Sequence, residues 1–205
     1  MNVQVMKLDD GYNTALTLHQ TMTESSETMM TDLNNLITKL SEHWISSDST
    51  IHINHLIEGY NKIGLFLESA LNVTTNTVDF LVDMQTIRAN TGGKKDIGER
   101  FKSSYTHKVR ESIPDSEKYY FDPEVVNDYN NLIQINTNFE QFMHKVKDDS
   151  DELLLNWKKG HGRDETVYNF EQFTTIAGEL NRYMLDAITE LQTMKGNVEN
   201  NISEA

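Results

Sequence analysis

The chain has no cysteine, only two prolines among its 205 residues, and no long apolar run. The first absence excludes disulfides and thiol catalysis, and leaves the compartment open, since a cysteine-free chain is stable inside or outside a cell. The second, with only ten glycines, leaves room for long uninterrupted elements. Without a stretch of about 18 apolar residues there is no candidate transmembrane helix. Residues 1–10 carry one lysine and no apolar block, so no general secretory signal peptide is expected.

Basic residues are also scarce. The formal net charge is −14, which argues against nucleic acid or an anionic membrane as main partners. The charge is uneven. Residues 1–87 hold 3 basic and 11 acidic side chains, residues 88–118 hold 8 and 5, and residues 119–205 hold 7 and 16. Two acidic blocks of similar size flank a basic middle. Hydrophobic residues make up 37%, low for a compact globule and suited to long two-faced helices.

The apolar residues that are present fall at helical spacing. Before Trp44 they are Tyr12, Leu16, Met22, Met29, Met30, Leu33, Ile37 and Leu40. After a short polar break they resume at Leu56, Tyr60, Ile63, Leu67, Ala70, Thr74, Leu81 and Met84, and Asn90-Thr91-Gly92-Gly93 is a stop signal. A third stripe begins near Pro123, a favoured first-turn residue: Val126, Tyr129, Ile133, Phe139, Met143, Val146, Leu153, Trp157. After Lys158-Lys159-Gly160-His161-Gly162-Arg163 a fourth follows, with Val167, Phe170, Phe173, Ile176, Leu180, Met184, Ile188, Leu191 and Val198.

Superimposing the two tryptophans aligns these stripes. Leu33 meets Val146, Leu40 meets Leu153, Ile57 meets Phe170, Tyr60 meets Phe173, Leu67 meets Leu180, and Val78 meets Leu191. Apolar character is kept while identity is lost. The chain therefore reads as a loose N-terminus (1–10), a first hairpin (11–90), a linker (91–123), a second hairpin (124–198) and a polar tail (199–205). Within the linker, Ile97, Phe101, Tyr105 and Val109 stand four apart and predict a short amphipathic helix over 94–111 with a basic face. Tyr119, Tyr120 and Phe121 would pin the linker down.

One helical hairpin buries its stripe only in part and needs a second. The expected fold is all-α: an antiparallel four-helix bundle of two helix–turn–helix hairpins, with a helical linker. Helices of about 30 residues would run about 45 Å. If both turns lay at one end, a few residues would join the hairpins; the long linker instead predicts turns at opposite ends and a linker packed along the outside, basic face against acidic helices.

Helix, tryptophan turn and helix of this length resemble the WXG family, the small ESX-type proteins exported by type VII secretion systems of Gram-positive bacteria and mycobacteria. The chain is similar to two such units fused into a single-chain version of the family's antiparallel dimer. The family turn is Trp-x-Gly. Here Trp44 is followed by Ser46 at the glycine position, and Trp157 by Gly160, one place later. The family's export signal, Tyr-x-x-x-Asp/Glu, has one candidate, Tyr120 with Glu124, and Pro123 lies inside it. The resemblance implies a non-enzymatic type VII substrate, or an adaptor or chaperone for a larger co-secreted protein. Such a protein binds its partners by helix-to-helix packing, is monomeric as a fused pair, and is secreted or cytoplasmic before export. The tryptophans would cap a bundle end, or cap it and also form part of a recognition surface. The alternative is a cytoplasmic acidic interaction protein, such as an immunity protein for a basic toxin.

Catalytic and metal constellations are thin. No histidine has glutamate three places before it, so the di-metal pattern of helical bundles is missing. His43, His52 and His55 cluster around one turn without an evident fourth ligand, and a metal site there is not expected. Asp148, Asp149, Asp151 and Glu152 read as a solvated helix face. No cofactor is expected.

Overall fold

The computed structural model describes residues 5–100, 102 and 105–203. Among the described residues four helices dominate and pack against each other, with a very short strand before each of them. In chain order these are β1 (Val5–Met6), α1 (Leu8–His43), β2 (Trp44–Ile45), α2 (Ser47–Asn90), β3 (Tyr120–Phe121), α3 (Val125–Asn156), β4 (Trp157–Lys159) and α4 (His161–Ser203). Among the described residues no helix is long and apolar enough to cross a membrane.

The contacts divide the chain into two compact units, and each takes a segment of every helix. The first contains α1 up to Glu27, Leu65–His107 and Phe142–Thr174; the second contains Thr28–Gly64, Lys108–Gln141 and α4 from Thr175 onward. In the first unit Phe173 stacks on Phe66 at 4.8 Å and meets Phe142 edge-on at 6.2 Å. In the second, Leu33, Ile37, Leu40, Ile53, Leu56 and Ile63 are almost fully buried, as are Phe139 and Leu180.

Helix ends follow the local chemistry. The α2 stop is a Schellman cap: Gly93 N–H donates to the Arg88 carbonyl and Gly92 N–H to that of Ala89, with Gly92 at φ +86° where a side chain would be strained. Just before α3 the Asp122 carboxylate accepts from Glu124 N–H, and Pro123, in the turn that leads into the helix, has no N–H to satisfy.

The buried faces keep the expected residues Phe139, Val146 and Leu153 on α3 and Phe170, Phe173, Leu180, Met184 and Leu191 on α4, and depart from the expected stripes elsewhere. On α3 the buried residues are Val125, Asp128, Leu132, Ile135, Asn136, Phe139, Phe142, Val146, Ser150 and Leu153, before Trp157. Ile133 is exposed. The early part of α3 has apolar residues in two adjacent phases, so hydrophobicity cannot choose between them. On α4 the small residues Ala177 and Ala187 are buried where Ile176 and Ile188 were expected. Small side chains suit a close helix approach, which Gly59 confirms in the second unit. A Cβ there would lie 2.6 Å from Leu180 Cδ1 and 3.3 Å from its Cα.

The predicted linker helix is absent. Apart from Phe101, Ser103 and Ser104, which lie outside the described residues, 94–118 contains no helix. Its main chain bonds to α2 side chains instead of to itself. Gln85 Oε1 accepts from Gly98 N–H, Glu68 from His107 N–H, Asn61 from Arg110 N–H and Asn54 from Ile113 N–H. Tyr12 Oη accepts from Glu99 N–H and donates to its carbonyl. Ile97 and Val109, expected on an apolar stripe, are exposed. Two of the basic side chains meet acid: Arg100 pairs with Asp79 and Asp83, and Lys94 with Asp9.

Candidate functional site

The two tryptophan turns are built alike, one in each unit. In the second unit Trp44 ends α1 and opens β2, which pairs antiparallel with β3, the strand just before α3. The His43 carbonyl accepts from Asp122 N–H at 2.8 Å. In the first unit Trp157 ends α3 and opens β4, which pairs antiparallel with β1, the strand just before α1. The Asn156 carbonyl accepts from Lys7 N–H at 3.1 Å. Both indoles are buried. Each tryptophan strand is thus paired with a strand that directly precedes a helix, β3 before α3 in one unit and β1 before α1 in the other.

The departures from Trp-x-Gly have local causes. Ser46 is the N-cap of α2. Its Oγ accepts from Ser49 N–H at 2.9 Å, and Ser49 Oγ accepts from Ser46 N–H at 2.8 Å. This reciprocal box satisfies two helix-end donors with hydroxyls, and Ser46 has no positive φ that would require glycine. In the other turn β4 has three residues opposite the two of β1, with a register irregularity between Val5 and Met6. A bulge inserts one residue, which places Gly160 one position later. Gly160 has φ +134° and its carbonyl accepts from Asp164 N–H. Arg163 Nε donates to the Trp157 carbonyl at 2.7 Å.

The surroundings of the tryptophans differ. Trp44 stacks on His52 at 5.7 Å, and its indole N–H is buried without a partner among the described residues. Beside it, His43 Nδ1 lies 2.6 Å from the buried Asp128 carboxylate, whose hydrogen bond raises the His43 pKa above the ordinary histidine value. Trp157 borders a cleft of about 200 Å³ lined by Val73, Asn76, Thr77, Phe80, Gly162 and Glu165.

The remaining candidates are scattered. His43, His52 and His55 each have a separate neighbour; His55 stacks on Tyr183 at 4.8 Å. Among the described residues no group of three acidic or histidine side chains is placed to hold a metal ion. Tyr120 lies in β3 and donates to Asp122, while Glu124 lies before α3 and accepts from Asn127. The pair is therefore not presented on a helix. Two features escaped the sequence reading: Asp128, a buried acid within an apolar stripe, and the asparagines that hold the linker. For the latter a signal existed, since Asn54, Asn61 and Glu68 stand seven apart on α2. No protein-family model, no curated protein and no solved structure matches this chain.

Proposed function

We propose that the chain is a tandem WXG-like protein, an antiparallel four-helix bundle made within one polypeptide. On this reading it is a non-enzymatic type VII substrate, or an adaptor or chaperone that travels with a larger substrate. The observation that carries it is the repeated strand–helix–tryptophan strand–helix plan, with each tryptophan strand paired to the strand that opens the opposite hairpin. Two copies of a small hairpin protein that exchange such strands would look the same with the chains unlinked. Exposed residues on the helices, including Ile51, Leu65, Leu155 and Tyr168, provide surface for helix-to-helix binding.

Fractionation of cells and culture supernatant, in hosts with and without the secretion ATPase, tests it. ATPase-dependent appearance in the supernatant, alone or with a co-expressed partner, is the expected result. Retention in cells under every condition sinks the export reading. It would leave the acidic immunity-type protein, which the net charge of −14 favours.

A further inference from the structure

The linker is held in an unusual way. Asn61 contacts one linker residue twice, accepting from Arg110 N–H at 2.8 Å and donating to the Arg110 carbonyl at 2.8 Å. Asn54 does the same to Ile113, at 2.8 and 3.0 Å. Two residues of α2 seven apart thus grip two linker residues three apart. The arithmetic matches: seven helical residues rise about 10.5 Å, and three extended residues span about 10 Å. One more such step along the sequence leads to Glu68 and His107 N–H, which are also bonded.

These bonds read main chain and not side chain, so any extended segment in this register can make them. One side chain is read as well. Arg110 Nη1 donates to the Asn34 carbonyl, to Asn34 Oδ1 and to Thr38 Oγ1, at 3.1, 3.0 and 2.9 Å. All three acceptors are uncharged. The linker gains little from apolar burial. Among its described residues from 94 to 118 only His107 is buried, and Val109 is 63% exposed. A segment held by polar bonds with few buried apolar contacts belongs to the low-stability end of a fold.

We propose that the α2 face bearing Asn54 and Asn61, with the arginine socket at Asn34 and Thr38, is a receptor for extended peptide. Residues 108–113 are its resident ligand, replaceable by an extended, arginine-bearing segment of a partner protein. The linker is tethered at both ends, so its effective concentration at the groove is on the order of millimolar. A free segment competes only when that hold is loosened. This inference rests on the hydrogen bonds alone and is independent of any export route.

The test uses the full chain and a fluorescein-labelled peptide of residues 105–115, with binding read by anisotropy. Arg110→Ala, and in parallel Arg110→Lys, loosens the resident segment; helical circular dichroism reports that the fold persists. Hydrogen exchange of amides in 105–113 is expected to accelerate in these variants. The peptide is expected to bind them about tenfold or more tightly than it binds the wild-type chain. Replacing arginine by alanine in the peptide, or adding Asn61→Ala to the chain, is expected to remove about tenfold of that affinity. Unchanged exchange, faster exchange without peptide binding, or binding indifferent to Asn61→Ala would each overturn the proposal.

Discussion

His43 and Asp128 form a short hydrogen bond: the imidazole Nδ1 lies 2.6 Å from a carboxylate whose side chain is 3% exposed. The pair joins the last residue of α1 to the first turn of α3, next to the Trp44 turn. The charged groups around His43 are Asp128, Asp122 and Glu42, and all three favour its protonated form.

This pair makes stability depend on pH. Because the folded-state pKa of His43 is raised, its contribution is complete below the ordinary histidine value and is lost as pH rises through the raised one. Urea melts of the wild type and of His43→Gln, at pH 5.5 and pH 8, are expected to differ more at the lower pH. Equal differences at both would show that the pair is not protonation-linked.

The two turns predict opposite tolerance to substitution. Ser46→Ala removes one side of the capping box and is expected to cost about 1 kcal/mol, while Ser46→Gly costs a few tenths. Gly160, at φ +134°, resists a side chain, and Gly160→Ala is expected to cost about 1–3 kcal/mol. Denaturant midpoints rank the three variants. Gly160→Ala without cost would remove the conformational reason for glycine there.

Two helical glycines give another contrast. At Gly59 a Cβ would press on Leu180, whereas at Gly178 it would meet nothing within 4 Å. Gly59→Ala is expected to destabilise by about 1–3 kcal/mol through overpacking. Gly178→Ala is expected to stabilise by about 0.5–1 kcal/mol through helix propensity. Thermal melts that move both variants in the same direction would contradict the close approach at Gly59.

The tryptophans and the glycine stop at 92–93 were legible in the sequence because each is a local signal. The phase of the first turns of α3 was not. Val125 and Val126, and Leu132 and Ile133, offer two adjacent stripes of equal apolarity, and the buried one contains Asp128. A carboxylate in a core stripe makes sense only when its partner is known, and His43 lies 85 residues away in sequence.

Sequence by itself determined the four helices and the tryptophan at the end of the first and third. These follow from apolar spacing along one segment at a time. Tertiary structure decided the linker. Residues 97, 101, 105 and 109 have helical spacing, but periodicity says nothing about where main-chain hydrogen bonds go. Here Asn54, Asn61, Glu68 and Gln85 offer partners from another helix, and a chain whose polar groups are satisfied from outside has no need to coil. Tertiary structure likewise decided the position of Gly160. The extra residue in β4 is a bulge against β1, and β1 lies about 150 residues away in sequence, a separation that local pattern reading does not cross.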